Sequence, residues 1–168
     1  MLRVLRAANN ALTALARWLA VALTAALVMV VTGNVFARYV LQTGLPWVEE
    51  LSRMLFVWVV FLGACVAMQH RGHLAITFLS DRLPTLPRKL LIWVTNLLTA
   101  VFLVAMTVGG WRLAEATLAF GTQTPAMRVS LAWGFAAIPV AGVIMLITLV
   151  THTVDGTDTQ PRTEEAPA

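Results

Sequence analysis

Cysteine occurs once in the 168-residue chain, as Cys65 within an apolar run, which excludes a disulfide framework or a multi-cysteine metal site built from one chain. Its simplest role is that of a small packing residue. Charge is also scarce: Asp, Glu, Lys and Arg make up 12% of the residues against 59% hydrophobic, far more apolar than a soluble domain of this length. No ionisable residue lies in the middle third of any long apolar run, whereas ion and proton carriers need such a group on their pathway. Transport by this chain alone is therefore disfavoured. A phosphate-cradling glycine loop is missing, and Ser, His and Asp show no spacing suited to a triad, so neither an enzyme nor a cofactor site is expected. His70 and His73 have no carboxylate or cysteine of matching spacing beside them, and no metal site is expected either. The formal charge of +4 comes from basic residues scattered at the ends of apolar segments, a pattern that reports topology and not nucleic acid.

What is present is a set of four long apolar segments. The first, about 18–40, lies between Arg17-Trp18 and Arg38-Tyr39, whose roughly 31 Å separation along a helix matches one hydrocarbon thickness. Its apolar run is too long for a signal peptide and is expected to be retained. The second spans 46–68, the third 89–112 with a helical extension to 120 and Gly121 as its C-cap, and the fourth 130–151 with Ser130 as N-cap and a kink at Pro139. Between spans two and three, Leu74, Phe78 and Leu79 fall on one helical face, which suits a short interfacial helix ended by Pro84. Residues 1–16 read as a basic cytoplasmic N-terminal segment, 17–151 as the membrane domain and 152–168 as a disordered cytoplasmic tail. Arg3, Arg6, Arg17, Arg71, Arg82, Arg88, Lys89 and Arg162 fall on one side, against Arg38, Arg53, Arg112 and Arg128 on the other. The fold class is thus an all-α membrane protein with four transmembrane helices and both termini cytoplasmic.

The mouth of span two concentrates the polar chemistry. Pro46 suits the first helical position, and Glu49 and Glu50 lie near the positive end of the helix dipole. Arg53 stands four residues after Glu49 and three after Glu50, so either pair can meet. Glu49, Ser52, Phe56, Gly63 and Ala67 share one side of the helical wheel, combining a polar group with small residues in the way of a contact between membrane helices. The alternative is that these charges are solvated among the headgroups.

The run Trp47-x-Glu49-Glu50-x-x-Arg53-x-x-Phe56-x-Trp58, followed by Phe61-Leu62-Gly63-Ala64, resembles the second helix of the small membrane subunit of tripartite ATP-independent periplasmic (TRAP) transporters, the DctQ-like family. His73-Leu74-x-Ile76 with Leu83-Pro84 resembles its cytoplasmic segment, Gly121 with Thr124-Pro125-Ala126-Met127 its outer loop, and Trp133 with Pro139-x-x-Gly142 its last helix. Thr77 stands where an acidic residue is expected, and Ser130 where proline is frequent. The resemblance implies a subunit of the bacterial inner membrane, surrounded by phospholipid. It would pair with a large permease subunit, while a periplasmic solute-binding protein delivers an organic acid. Uptake would be sodium-coupled symport, with the substrate and ion sites on the large subunit and this chain as scaffold. On that basis Trp47, Glu49, Glu50, Arg53, Trp58, Gly63 and Ala67 are candidates for the subunit interface or a structural motif, and His73 marks the cytoplasmic segment. Arg112, Glu115, Gln123 and Arg128 are candidates for docking the binding protein. The competing reading is an autonomous small transporter or channel using Glu49 or Glu50 as coupling carboxylate.

Overall fold

The computed structural model describes residues 2–69 and 85–154. Helix α1, Leu2–Tyr39, runs without a break through the residues read above as a separate N-terminal segment. Its 38 residues correspond to about 57 Å, nearly twice a hydrocarbon thickness. Gln42 reverses the chain with φ 52°, after the N–H groups of Leu41 and Thr43 have bonded the Ala37 carbonyl. Helix α2, Pro46–Gln69, begins at the proline, whose missing N–H is one the first turn leaves unused.

Helix α3, Thr85–Ala119, ends in a Schellman motif. Gly121 takes φ 62°, its N–H bonds the Leu118 carbonyl, and the Thr122 N–H reaches back to Thr117. The last membrane segment is two pieces, α4 (Ala132–Phe135) and α5 (Ala137–Val154). Pro139 has no N–H for the Phe135 carbonyl, and the interruption accordingly falls at Ala136, a turn before the proline. Ser130 Oγ accepts the Ala132 N–H at 3.3 Å where the helix starts. The expected interfacial helix with Thr77, and the tail from residue 155 on, lie outside the described residues.

Among the described residues, four helical segments are long and apolar enough to cross a membrane: Ala7–Tyr39, Pro46–Gln69, Trp93–Ala119 and Ala132–Thr153. They meet around Ala16, Leu62, Cys65, Leu103, Ala141 and Met145. Cys65 is fully buried, with its thiol 3.6 Å from the Ala141 carbonyl, and so is a packing residue. Helices α3 and α5 approach closely at two glycines. A Cβ on Gly110 would stand 2.6 Å from Ile138 Cγ2, and one on Gly142 would run into the Thr107 hydroxyl, which already bonds the Leu103 carbonyl.

The two ends of the bundle are tied differently. At one, the buried Thr148 hydroxyl donates to Asn9 Oδ1 at 2.8 Å and Gln69 Nε2 donates to Asn10 Oδ1, which brings the beginning of α1, the end of α2 and the end of α5 together. At the other lie the α1–α2 turn and the loop 120–131.

The packing predicts opposite signs for neighbouring glycines. Gly142→Ala should destabilise the purified chain by about 1–3 kcal/mol through overpacking. Gly109→Ala, whose added Cβ meets nothing within 4 Å, should stabilise it by up to about 1 kcal/mol through helix propensity. Thermal unfolding in detergent, followed by circular dichroism, distinguishes the two.

Candidate functional site

The polar residues at the mouth of α2 divide between two sides of the helix. Successive residues are about 100° apart, so Glu49 and Glu50 cannot face the same neighbour. Glu50 turns toward the chain's own loop: Oε1 accepts the Ala126 N–H and Oε2 the Met127 N–H, both at 2.9 Å. Arg53 adds a positive charge near this carboxylate. Glu49 turns outward and meets Arg38 across the α1–α2 turn at 3.9 Å, the ion pair found among the described residues. Both of its side chains are about two-thirds exposed, so it contributes little to stability. The (i, i+4) spacing allowed Arg53 as partner for Glu49, but the antiparallel turn delivers Arg38 instead.

The loop that Glu50 holds is tightly built. The Thr124 N–H bonds the Val129 carbonyl, the Arg128 N–H bonds the Thr124 carbonyl, and Gln123 bridges to Ser130 as a single antiparallel pair. Thr124 Oγ1 accepts the Val129 N–H at 3.3 Å. Arg128 then takes φ 54°, a left-handed conformation that a non-glycine residue adopts only where its surroundings fix it.

Along α2 the inward face carries Val48, Leu62 and Cys65, all buried, and Trp58, whose Nε1 donates to the Trp133 carbonyl at 3.0 Å. Trp58 is therefore joined to α4 of its own chain. The opposite face runs Glu49, Arg53, Phe56, Val60 and Ala67, all exposed, with Gly63 half-buried and nothing within 4 Å of its Cβ position. Ser52 belongs to neither: its hydroxyl oxygen, like Asn34 Oδ1 on α1, is buried without a hydrogen-bond partner. Trp47 is half-exposed at the start of the helix. Arg112, Glu115, Gln123 and Arg128 are exposed on α3 and the loop after it. His70 and His73 lie outside the described residues.

Two features had no place in the reading of the sequence. One is the Glu50 contact with the loop; the other is the buried polar cluster of Asn9, Thr13, Thr148 and Thr151. Asn9 and Thr13 are four residues apart, and the Thr13 hydroxyl closes on the Asn9 carbonyl, so helical spacing of polar residues was the available signal.

A groove of about 530 Å³ opens between α3 and α5, lined by Trp93, Leu97, Ala100 and Leu149, with Asn96 and Thr153 as its polar members. It presents no cation to an organic anion. Among the described residues no three His, Cys, Asp or Glu side chains gather as a metal site.

These features define a polytopic α-helical membrane protein whose polar groups serve helix and loop contacts. The chain belongs to the DctQ component family of tripartite ATP-independent periplasmic transporters, whose sequence profile matches residues 27–159. It is 33% identical over 126 residues to the sialic acid TRAP transporter small permease protein SiaQ of Vibrio cholerae, covering 75% of this chain and 72% of the relative. It is 30% identical over 137 residues to the sialic acid TRAP transporter permease protein SiaT of Haemophilus influenzae, covering 81% of this chain but 22% of that longer protein. The isethionate TRAP transporter permease protein DctMQ of Oleidesulfovibrio alaskensis is 24% identical over 134 residues, 74% of this chain and 21% of the relative. In the longer relatives the small subunit is fused to the large permease subunit, its partner within the family. Members are transporter components and not enzymes, and the chain is a multi-pass protein of the bacterial inner membrane.

The divided motif predicts a divided response. Glu50→Ala should speed hydrogen exchange of the Ala126 and Met127 amides by about tenfold or more in detergent-purified protein, and Glu49→Ala should leave them unchanged.

Proposed function

We propose that the chain is a non-catalytic scaffold subunit of a binding-protein-dependent, sodium-coupled symporter for an organic acid, and that α2 meets the large permease subunit. The observation that carries this is the outward stripe of Glu49, Arg53, Phe56, Val60, Gly63 and Ala67, which the chain's own helices leave uncovered. Helices in lipid associate where small residues permit close approach and a polar group finds a partner, and this stripe offers both. The exposed apolar faces of α1 and α3 that remain are solvated by phospholipid. Substrate and sodium bind on the large subunit; the lack of ionisable residues in the middle of these helices supports that division.

The substrate class follows the relatives. Sialic acid, isethionate and C4-dicarboxylates, the substrates in the names of the similar transporters, are all organic anions. The basic residues near the beginning of α1 support termini in the cytoplasm, which turns the Glu50 loop and the α1–α2 turn to the periplasm. There the exposed Arg112, Glu115, Gln123 and Arg128 form the surface that receives the binding protein.

The test is affinity purification of the tagged chain from native membranes in mild detergent. A much larger multi-span protein should accompany it. Gly63→Leu should cut that recovery by about tenfold, equivalent to some 1.4 kcal/mol of packing. The thermal midpoint of the isolated variant should stay that of wild type. Recovery unchanged in both Gly63→Leu and Glu49→Ala would remove the stripe from the interface. Liposomes holding this chain alone should show no flux; flux would establish the autonomous carrier instead.

A further inference from the structure

The loop between α3 and α4 owes its shape to a charge on another helix. Successive N–H groups at Ala126 and Met127 form a concavity of the kind that binds anions, and the anion in it is the Glu50 carboxylate. The next residue is Arg128, fixed at φ 54° with its side chain exposed. Glu50 thus adds to the loop's own hydrogen bonds in fixing the backbone immediately before an arginine whose left-handed conformation is unfavourable by itself.

The charges at this end are unequally engaged. Glu49 is paired with Arg38, and Glu50 is bound by the loop. The side chains of Arg112 and Arg128 make no hydrogen bond or ion pair among the described residues, so these two guanidinium groups stay presented while Glu49 and Glu50 are engaged within the chain. Glu115 is the exposed carboxylate beside them in sequence. With Arg38, Arg53, Arg112 and Arg128 against Glu49, Glu50 and Glu115, this end carries an excess of one positive charge, and its unengaged guanidinium groups complement an acidic partner.

We propose that Glu50 is a positioning residue for docking, holding Arg128 where it meets an acidic patch on the periplasmic binding protein. This rests on the reading that the loop end faces the periplasm and receives that protein. Glu50 itself does not touch the partner. Its contribution is to keep the loop in one shape before docking, so that Arg128 need not be ordered at the moment of contact.

The experiment uses the assembled complex of this chain and its large subunit in nanodiscs, titrated with the fluorescently labelled binding protein of the same system. Arg128→Gln should weaken docking about fivefold at low salt, and wild-type docking should weaken as ionic strength rises. Glu50→Gln keeps the shape of the side chain but points an amide NH₂ at a loop N–H. It should weaken docking by a similar factor with an unchanged yield of complex, and adding Arg128→Gln should weaken it no further. Glu50→Cys combined with Ala126→Cys and joined by a short bis-methanethiosulfonate, which forms a mixed disulfide with each thiol and expels methanesulfinate, should regain wild-type docking and lose it on reduction.

Unchanged docking in Glu50→Gln beside weakened docking in Arg128→Gln overturns the positioning role and leaves the docking surface standing. Unchanged docking in Arg128→Gln, with no salt dependence in wild type, overturns the docking surface itself. Weak docking that tracks lost complex and is not regained by the tether reduces Glu50 to a structural residue and overturns the proposal.

Discussion

Inside a bilayer no water stands ready to satisfy a polar group, and this chain's polar residues are arranged around that constraint. The hydroxyls of Thr13, Thr24, Thr107, Thr117, Thr151 and Thr153 each close on the carbonyl four residues earlier in their own helix. These residues are thereby almost self-sufficient and can sit at any depth. Others take a partner from another element: Asn9 and Gln69 at one end, Glu50 at the other, and Trp58 at a carbonyl of the short α4 beside the Ala136 interruption, while Ser52 Oγ and Asn34 Oδ1 are buried without one. The contacts of this second group are also ties between elements of the bundle.

Between those ties the helices are held by shape. Lipid tails are as apolar as leucine, so burying apolar surface gives little drive to association, and close approach of small residues takes over. Gly110 and Gly142 seat α3 against α5, while Ala137 and Ala141 place α5 in the middle of the bundle, each essentially without exposed surface. Long stretches of α1 and α3 remain open, with Trp18, Met29, Trp93 and Leu98 more than half exposed. A helix set that leaves so much apolar surface outward is suited to enlarging another membrane protein's framework in lipid.

The four crossing helices were legible because length and apolarity are themselves the physical requirement for spanning a bilayer. Gly121 was legible for a similar reason: a left-handed position after a helix selects glycine. The site was legible only in part. Glu49, Glu50 and Arg53 stand out in the sequence, but which carboxylate faces inward depends on how α2 is rotated against its neighbours, a tertiary property. The hold of Glu50 on Ala126 and Met127 uses backbone N–H groups, which carry no residue signature. Near the chain's beginning, Asn9 and Thr13 are spaced for one helical face, but their burial depends on α5 lying beside them, which is again a tertiary property.

The geometry of an α-helix then explains why two adjacent carboxylates serve better than one. Side chains about 100° apart on one turn point to different neighbours, so Glu49-Glu50 is a two-sided connection at a single height. Glu50 fastens the loop to α2 within the chain, with both of its oxygens engaged there. Glu49 is held only by an exposed pair with Arg38, an interaction weak enough to be exchanged for another partner at little cost. Spacing the two carboxylates three or four residues apart would instead point both demands at one surface, and the loop and any neighbouring helix would compete for the same space. The adjacency of the two carboxylates is therefore a consequence of having two contacts to make at one end of one helix.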